Sequence, residues 1–345
     1  MTPPDPETAP RTLRLRSLLL QALLVGALLA LIVITVAGIV PGSSKRLQEA
    51  SPGWMALAAL FELMAIAAYA VLFHGVFSYG AYRVEPVRSA QIATGELAGY
   101  VASPTGAGGP AIRFWALLRG GMPFREVTKR SVEHAAIFQI PYIVAALLLG
   151  AGTLLGVGIG HARTVVALAP AGIVVVTIAA VFGATRLAQR PSRASDGWRR
   201  LGREALQAIP LGVRALPGRI RHPLLLPSAA AYWVCDCLVL VVAIRAANGS
   251  APLGVIALAY MLGQLGNALP LPGGVGGVEP LMLGVLTSSG VSLGAGAAAV
   301  VLYRLVSLGL QAVLGGIALG TLLPSLQRTG SDLRPAASVA EVHSV

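Results

Sequence analysis

The amino-acid sequence predicts an all-α polytopic membrane protein with about six full transmembrane helices and two re-entrant helical hairpins, arranged as an inverted repeat. Three observations predict this fold: low charge, long apolar runs, and two glycine-rich interruptions that match each other. Of 345 residues, 55% are hydrophobic and 12% are charged, and the mean hydropathy is +0.75. Soluble domains carry roughly 25% charged residues. No polar segment is long enough to bury its own core, so we expect no attached soluble catalytic domain.

Six apolar runs approach or exceed the roughly 20 residues that cross a 30 Å hydrocarbon core. They are Ser17–Val40, Trp54–Gly80, His134–Gly158, Thr164–Thr185, Leu224–Ile244 and Gly294–Leu323. The first run follows three arginines and resembles a signal peptide. Its 24 residues are too many for a signal-peptide core, so we expect a retained first helix.

The formal net charge of +12 is distributed as a topology signal. Arginines lie between the apolar runs and form no basic face with interleaved aromatic residues, which argues against nucleic-acid binding. The positive-inside rule predicts a cytoplasmic N-tail over residues 1–16, an Arg-rich cytoplasmic loop over 186–223 and a disordered cytoplasmic C-tail over 324–345. The loop is predicted to be a surface-lying linker with a short amphipathic helix. We expect the cell membrane as the location.

A first broken segment lies near residues 89–118, in a first membrane repeat that covers 17–160. A Ser-Pro-Thr-Gly-Ala-Gly-Gly-Pro sequence interrupts it at residues 103–110. Each half has about fourteen residues or fewer, or roughly 21 Å of helix, which is too short to cross. Basic residues flank both ends. These facts predict a hairpin that enters from the cytoplasm and returns there.

A second broken segment lies near residues 252–286, in a second membrane repeat that covers 161–323. It is interrupted at residues 269–277 and contains no basic residue, which predicts a hairpin that enters from the outer side. The stretch Pro252–Leu269 has 18 residues and nearly spans a membrane, so a full crossing there stays open.

The two broken segments align with each other at an offset of 168 residues. Inverted repeats whose broken helices meet near the midplane are typical of alternating-access carriers. Six identities share the offset: Gly95/Gly263, Leu97/Leu265, Pro104/Pro272, Gly106/Gly274, Gly108/Gly276 and Gly109/Gly277.

The glycine-rich turns are candidate substrate-binding elements. A Pro-X-Gly-X-Gly-Gly sequence disfavours helix and exposes backbone amides at the start of the following half-helix. Such an N-terminus suits a phosphate or another anion. The alternative is a tight turn that lets helices pack closely. The candidate residues are Gly106, Gly108, Gly109, Gly274, Gly276 and Gly277.

Ionisable residues inside apolar runs are costly to insert and mark candidate sites. We single out Glu96, Arg113, Glu279 and Arg304 as substrate-binding residues; Glu279 and Arg304 are candidate partners of each other, either functionally or as a structural ion pair. For Glu62 and Asp236, a packing role and a functional role are both open. We expect His134 to be a helix cap.

No enzymatic constellation stands out, and we predict a protein that is not an enzyme. HExxH, GxSxG and Walker sequences are absent, and the glycine-rich breaks lack a following Lys-Ser/Thr. Cys235 and Cys237 lie two positions apart on one helix and cannot bridge each other. We predict no cofactor and no metal site.

The second break resembles a known membrane signature. Residues 270–279, Pro-Leu-Pro-Gly-Gly-Val-Gly-Gly-Val-Glu, followed by Tyr303-Arg304, resemble the transmembrane domain of lysylphosphatidylglycerol synthases and related stand-alone flippase-like proteins. Residues 102–109 resemble that family's first glycine-rich turn, and the resemblance covers roughly residues 15–325.

In the family's bifunctional members, this domain moves an aminoacylated phospholipid between leaflets after a soluble domain has made it. The resemblance therefore implies lipid handling, with Glu279 and Arg304 at matched polar positions. A synthetase domain does not accompany this sequence, so neither the lysyl-lipid substrate nor aminoacyl-transferase activity is carried over.

The leading hypothesis is a lipid or lipid-linked-headgroup translocase with an anion-binding site at mid-membrane and a membrane phospholipid or lipid-linked substrate as its partner. One alternative is a membrane scaffold or accessory protein for a lipid-modifying enzyme or a glycosyltransferase, acting through the Arg-rich loop. Another is a carrier of a small anionic solute. The sequence leaves the oligomeric state open.

Overall fold

The structure, a computed structural model, describes residues 40–103, 106–154, 196–268 and 271–328. Two of the predicted helices, Ser17–Val40 and Thr164–Thr185, lie outside these ranges except for the last residue of the first. Helices make up nearly all of the described chain, with two short 3₁₀ turns at Gly266–Ala268 and Pro272–Gly274. The α-helices are α1 (Ser43–Gln48), α2 (Pro52–Phe77), α3 (Pro86–Ala102), α4 (Gly108–Arg119), α5 (Phe124–Leu154), α6 (Asp196–Ile220), α7 (Leu225–Ala246), α8 (Leu253–Leu265), α9 (Val278–Ser288) and α10 (Leu293–Arg328).

Four helices of the described chain are long and apolar enough to cross a membrane. These candidate spans are Pro52–Phe77, Phe124–Gly152, Leu225–Ala246 and Leu293–Leu322. Each overlaps one of the six apolar runs. The prediction of an all-α, multi-pass membrane protein is thereby confirmed, while the number of six spans remains a prediction.

Two helical hairpins form at the two broken segments. In the first, α3 and α4 run antiparallel: a Cβ on Gly99 would lie 2.8 Å from the carbonyl oxygen of Gly108. In the second, α8 and α9 approach as closely, because a Cβ on Gly266 would lie 2.6 Å from the Gly277 carbonyl oxygen. Helix α8 has 13 residues, about 20 Å of rise. The stretch from Pro252 therefore does not make a full crossing.

Three helix boundaries differ from the sequence prediction. Helix α5 begins at Phe124, ten residues before the apolar run, because its charged first turns are held by internal ion pairs such as Arg130 to Glu126 at 2.7 Å. Helix α6 has 25 residues in place of a short amphipathic helix. Its two prolines lie on the exposed face, where carbonyl groups without a helical partner can bond to solvent. Helix α10 continues to Arg328, into the predicted C-tail.

The order of helices repeats along the chain. A long helix, a hairpin and a second long helix occur as α2 to α5 and again as α7 to α10, at a spacing close to 168 residues. The two leading helices, α2 and α7, pack along each other, and α10 packs along α3 of the other half. The halves therefore share one bundle.

A polar layer divides the interior of this bundle. One apolar cluster contains Ala58 of α2 and Val239 of α7, and the other contains Ala65 and Cys235 of the same two helices. Between these levels lie Glu62 on α2 and Asp236 on α7, each near the middle of its helix. The long, apolar helices therefore place buried charge about halfway along their length.

Candidate functional site

A cavity of about 570 Å³ opens within the polar layer. Both glycine breaks reach it: Gly106 of the first, and Gly273 and Gly274 of the second, are part of its lining. The breaks also approach each other, since a Cβ on Gly273 would lie 3.6 Å from the carbonyl oxygen of Val101, at the end of α3. The two hairpins thus meet at one cavity.

Arg113 is the cationic group that the first hairpin presents to this cavity. It lies on α4, is 5% exposed, and donates from Nε to Glu96 Oε2 of α3 at 3.0 Å and from a second nitrogen to Oε1. A bidentate pair of this kind is a strong, oriented interaction. It fixes α4 against α3 and aims the guanidinium at the lining.

Arg304 is the corresponding group on the other side. It lies on α10, is 3% exposed, and donates from Nε to Glu279 Oε1 at 2.8 Å and from a terminal nitrogen to the Gly273 carbonyl oxygen. The same carboxylate accepts the Gly276 N–H at 2.7 Å through Oε2. Glu279 therefore joins the second glycine break to α10, and the suggested Arg304–Glu279 pair is present.

The six candidate glycines divide into two structural groups. Gly106 and Gly274 line the cavity and have left-handed backbone, each with φ of 67°. Gly108, Gly109 and Gly277 are points of close helix contact; a Cβ on Gly109, for example, would lie 2.6 Å from the Tyr100 ring. The packing alternative therefore accounts for these three.

Gly276 has a third role. Its φ is 88° and its N–H is already bonded to Glu279. An incoming anion would have to displace that carboxylate to reach this amide.

An aromatic wall faces the two arginines, and sequence reasoning did not find it. Tyr232 and Trp233 of α7 meet Phe138 of α5, with ring centroids 5.0 and 4.8 Å apart from Phe138. Trp233 Nε1 donates to the Phe138 carbonyl oxygen at 2.7 Å. The available signal was a Tyr-Trp pair in the middle of an apolar run, far from the interfaces where such residues normally lie. The aromatic members of the lining are Tyr69, Tyr100, Phe138, Tyr142, Tyr232, Trp233 and Tyr303.

His134 is not the helix cap that the sequence predicted. Because α5 begins at Phe124, His134 lies well inside the helix and is 2% exposed. Its ring is edge-on to Tyr69 at a centroid distance of 5.3 Å, and its Nε2 has no hydrogen-bond partner among the described residues. It lines the cavity.

A hydrogen-bond network runs behind the cavity between α7, α8 and α10. Asp236 Oδ2 accepts from the hydroxyl groups of Tyr260 at 2.6 Å and Tyr303 at 3.2 Å. Gln264 Nε2 donates to the Tyr303 hydroxyl at 3.1 Å, and Asn267 Nδ2 donates to Gln264 Oε1 at 2.7 Å. The network links the end of α8, beside the second break, to the centre of α7.

Within the described chain, no three His, Cys, Asp or Glu side chains lie close enough together to hold a metal ion. The lining instead combines two guanidinium groups with aromatic rings and neutral amides. That combination suits an anionic group carried on a larger, partly apolar molecule.

A comparison with protein families matches residues 17–315 to the lysylphosphatidylglycerol synthase transmembrane region. The chain belongs to this family. The match includes both hairpins, all four candidate spans except the end of α10, and each of the ten residues singled out as substrate-binding. No curated protein matches the chain. Membership in the lysylphosphatidylglycerol synthase transmembrane family confirms the resemblance that the second glycine break carries.

Proposed function

We propose that this protein is a translocase for a lipid or lipid-linked headgroup, with an anion-binding site between its two hairpins. One observation carries the proposal: Arg113 and Arg304, from different halves of the chain, both contribute to one buried cavity at the level of the glycine breaks. Family membership supports a role with membrane lipids.

The two arginines are suited to hold a phosphate that moves. Each is paired with a carboxylate, so the empty site carries no uncompensated guanidinium. Guanidinium has five donors and binds phosphate in the same forked geometry as carboxylate. A headgroup phosphate would therefore share or replace Glu96 and Glu279 as partner. The exchange keeps every charge paired as the headgroup crosses the polar layer.

The rest of the cavity accommodates what a headgroup carries with it. The aromatic wall supplies flat apolar surface, and Gln264 and Asn267 supply amide groups beside the second break. The acyl or polyprenyl chains would remain in the lipid outside the bundle. In this proposal, opposite movements of the two hairpins, as in other inverted-repeat carriers, alternate access to the site.

Leaflet transfer in proteoliposomes tests this function. Fluorescent phospholipids with anionic, zwitterionic and amino headgroups would be followed as they become accessible to an external quencher. We expect transfer by the native chain, and a loss of about tenfold or more in Arg113→Gln and in Arg304→Gln, because a charge-assisted hydrogen bond contributes about 1.5–3 kcal/mol. Arg119→Gln, an exposed arginine on the same helix as Arg113, is the matched control.

Two outcomes would overturn the proposal. One is an absence of transfer above empty vesicles across the whole lipid panel. The other is transfer at the native rate in both arginine variants. Uptake of a small anionic solute by the same vesicles, without lipid transfer, would favour a solute carrier.

A scaffold role for α6 is a second proposal, and one observation favours it. The helix is amphipathic and lies along α5, with Val213 and Arg214 on its exposed face. A lipid-modifying enzyme or glycosyltransferase could dock there. Under this proposal, deletion of residues 190–221 abolishes function, whereas Arg304→Ala and Glu279→Ala leave it intact.

A further inference from the structure

Two carboxyl groups of the polar layer are not in either arginine pair. Glu62 on α2 is 0% exposed, and Asp236 on α7 is 4% exposed. The two side chains are close enough to hydrogen-bond to each other. Arg113 and Arg304, meanwhile, form their salt bridges with Glu96 and Glu279. Two acidic groups therefore adjoin in the interior without a cation of their own among the described residues.

Their hydrogen bonds leave one oxygen of each unsatisfied. Glu62 Oε1 accepts from Gln311 Nε2 at 2.9 Å, and Asp236 Oδ2 accepts from two tyrosine hydroxyls. Glu62 Oε2 and Asp236 Oδ1 are buried and have no partner in the part of the chain that the structure describes. Two ionised carboxylates offer only acceptors, so they cannot satisfy each other. One proton between them would satisfy both oxygens.

We propose that Glu62 and Asp236 form a proton-binding site that holds one proton between the two carboxyl groups and exchanges it through the cavity. Like charges a few ångströms apart in a low-dielectric interior cannot both ionise, and a pair of this kind titrates as a unit. Asp236 lines the cavity and Glu62 does not. Water in the cavity would therefore reach the proton from the Asp236 side.

The neighbours of the pair do not titrate near neutral pH. Phenol groups face it from Tyr232 on α7, Tyr260 on α8 and Tyr303 on α10, and thiols from Cys235 and Cys237 on α7. Phenols and thiols are neutral at pH 7 in the absence of activation. Arg304 on α10 is the charged group within electrostatic reach of Asp236, and it stays cationic. A protonation change near pH 7 would therefore belong to the carboxyl pair.

The position of Arg304 couples this proton to the cavity, and this step rests on the proposed function. Arg304 interacts both with Glu279 and with Asp236. An anionic headgroup bound to Arg304 would offset its positive charge and so favour proton binding at the pair. By linkage, a proton on the pair strengthens anion binding by the same factor. Headgroup transfer should therefore become faster as pH falls.

Infrared spectroscopy of the full chain in lipid bilayers tests the proton site without any assay of transfer. A protonated carboxylic acid has a carbonyl band distinct from the carboxylate bands. We expect this band at neutral pH in the native chain and its loss in Glu62→Gln, where the new amide can donate to Asp236 Oδ1. The double variant Glu62→Gln/Asp236→Asn should lose it as well. Glu49→Gln, whose native side chain is 54% exposed, is the control that keeps it.

The outcomes separate the proton site from the transport proposal. Absence of the band in the native chain, or its persistence in the double variant, overturns the site whether or not lipid moves. If the band is present and no lipid transfer occurs, the site stands and the translocase fails. If transfer occurs, we expect it to rise about tenfold per pH unit at most on acidification, and to lose this dependence in Glu62→Gln. A native transfer rate independent of pH overturns the coupling.

Discussion

Gly106 and Gly274 have the same backbone φ of 67°, although 168 residues separate them in the chain. Both line the central cavity, one from each hairpin. This left-handed conformation costs an L-residue roughly 1–2 kcal/mol, so the turn is what requires glycine at these positions. The shared offset in sequence is therefore also a shared conformation.

Alanine at these two glycines should destabilise the protein unequally. For Gly106→Ala we expect a loss of about 1–2 kcal/mol from backbone strain alone, since the new Cβ would lie 3.5 Å from Tyr100. Gly274→Ala should lose more, because its Cβ would overlap Asn267 Oδ1. Thermal unfolding in detergent measures both. Gly284→Ala on the neighbouring helix α9, with no atom within 4 Å, should be neutral or stabilising. Equal midpoints for all three variants would contradict the assigned backbone.

Removing one partner of the Arg304–Glu279 pair should cost more than removing both. Arg304→Gln leaves the Glu279 carboxylate with a single amide donor and should lower the free energy of unfolding by about 3–5 kcal/mol. Arg304→Gln/Glu279→Gln should recover part of that loss, since no unpaired charge remains. Reversible unfolding in mixed micelles provides the double-mutant cycle. Strictly additive losses would show that the two side chains do not interact.

Arg219 should determine how firmly α6 is held to the bundle. Its guanidinium lies 3.8 Å from the centroid of the Tyr79 ring, its Nε lies 3.4 Å from Glu133 Oε2, and it donates to the Gly75 carbonyl oxygen. Burial and the Glu133 carboxylate raise the pKa of Tyr79, so its hydroxyl remains a donor to Glu133 at neutral pH. We expect Arg219→Ala to accelerate hydrogen exchange throughout α6. The exposed Arg214→Ala on the same helix should leave the exchange rates unchanged.

The two hairpins should open to opposite sides of the membrane. Cysteines would be introduced at both ends of each hairpin in a Cys235→Ser/Cys237→Ser background and treated with a membrane-impermeant thiol reagent. We expect both ends of the first hairpin to react from the cytoplasmic side and both ends of the second from the outer side. The exposed positions are Val87 and Arg119 for the first hairpin, and Leu253 and Ser288 for the second.

Two results would contradict this topology. Reaction of positions 87 and 119 from opposite sides would make the first hairpin a full crossing. Reaction of all four positions from one side would remove the inverted arrangement and retain the hairpins.

The sequence predicted the hairpins and their ion pairs because the signals are strong and mostly local. Proline and glycine interrupt a helix at the place where they occur, whatever surrounds them. An arginine within an apolar run needs a partner at similar depth. Glu279 and Arg304 satisfied that need across 25 residues, and Glu96 and Arg113 across 17.

The contact between Glu62 and Asp236 could not be predicted in this way. The residues are 174 positions apart, and they meet only because α2 and α7 pack along each other. Nothing near either residue indicates that packing. The aromatic wall has the same origin, since Phe138 and Trp233 come from helices α5 and α7. Local patterns identify costly residues, and tertiary packing decides which of them meet.

The polar layer determines where this bundle can rearrange. Interlocked apolar side chains separate at a cost proportional to the area they expose, whereas an ion pair or a hydrogen bond can be exchanged for an equivalent one at small net cost. The level of Glu62, Asp236 and Arg304 is thus a seam between two firmly packed bodies. Sliding along that seam would change the shape of the molecule while both bodies stay intact.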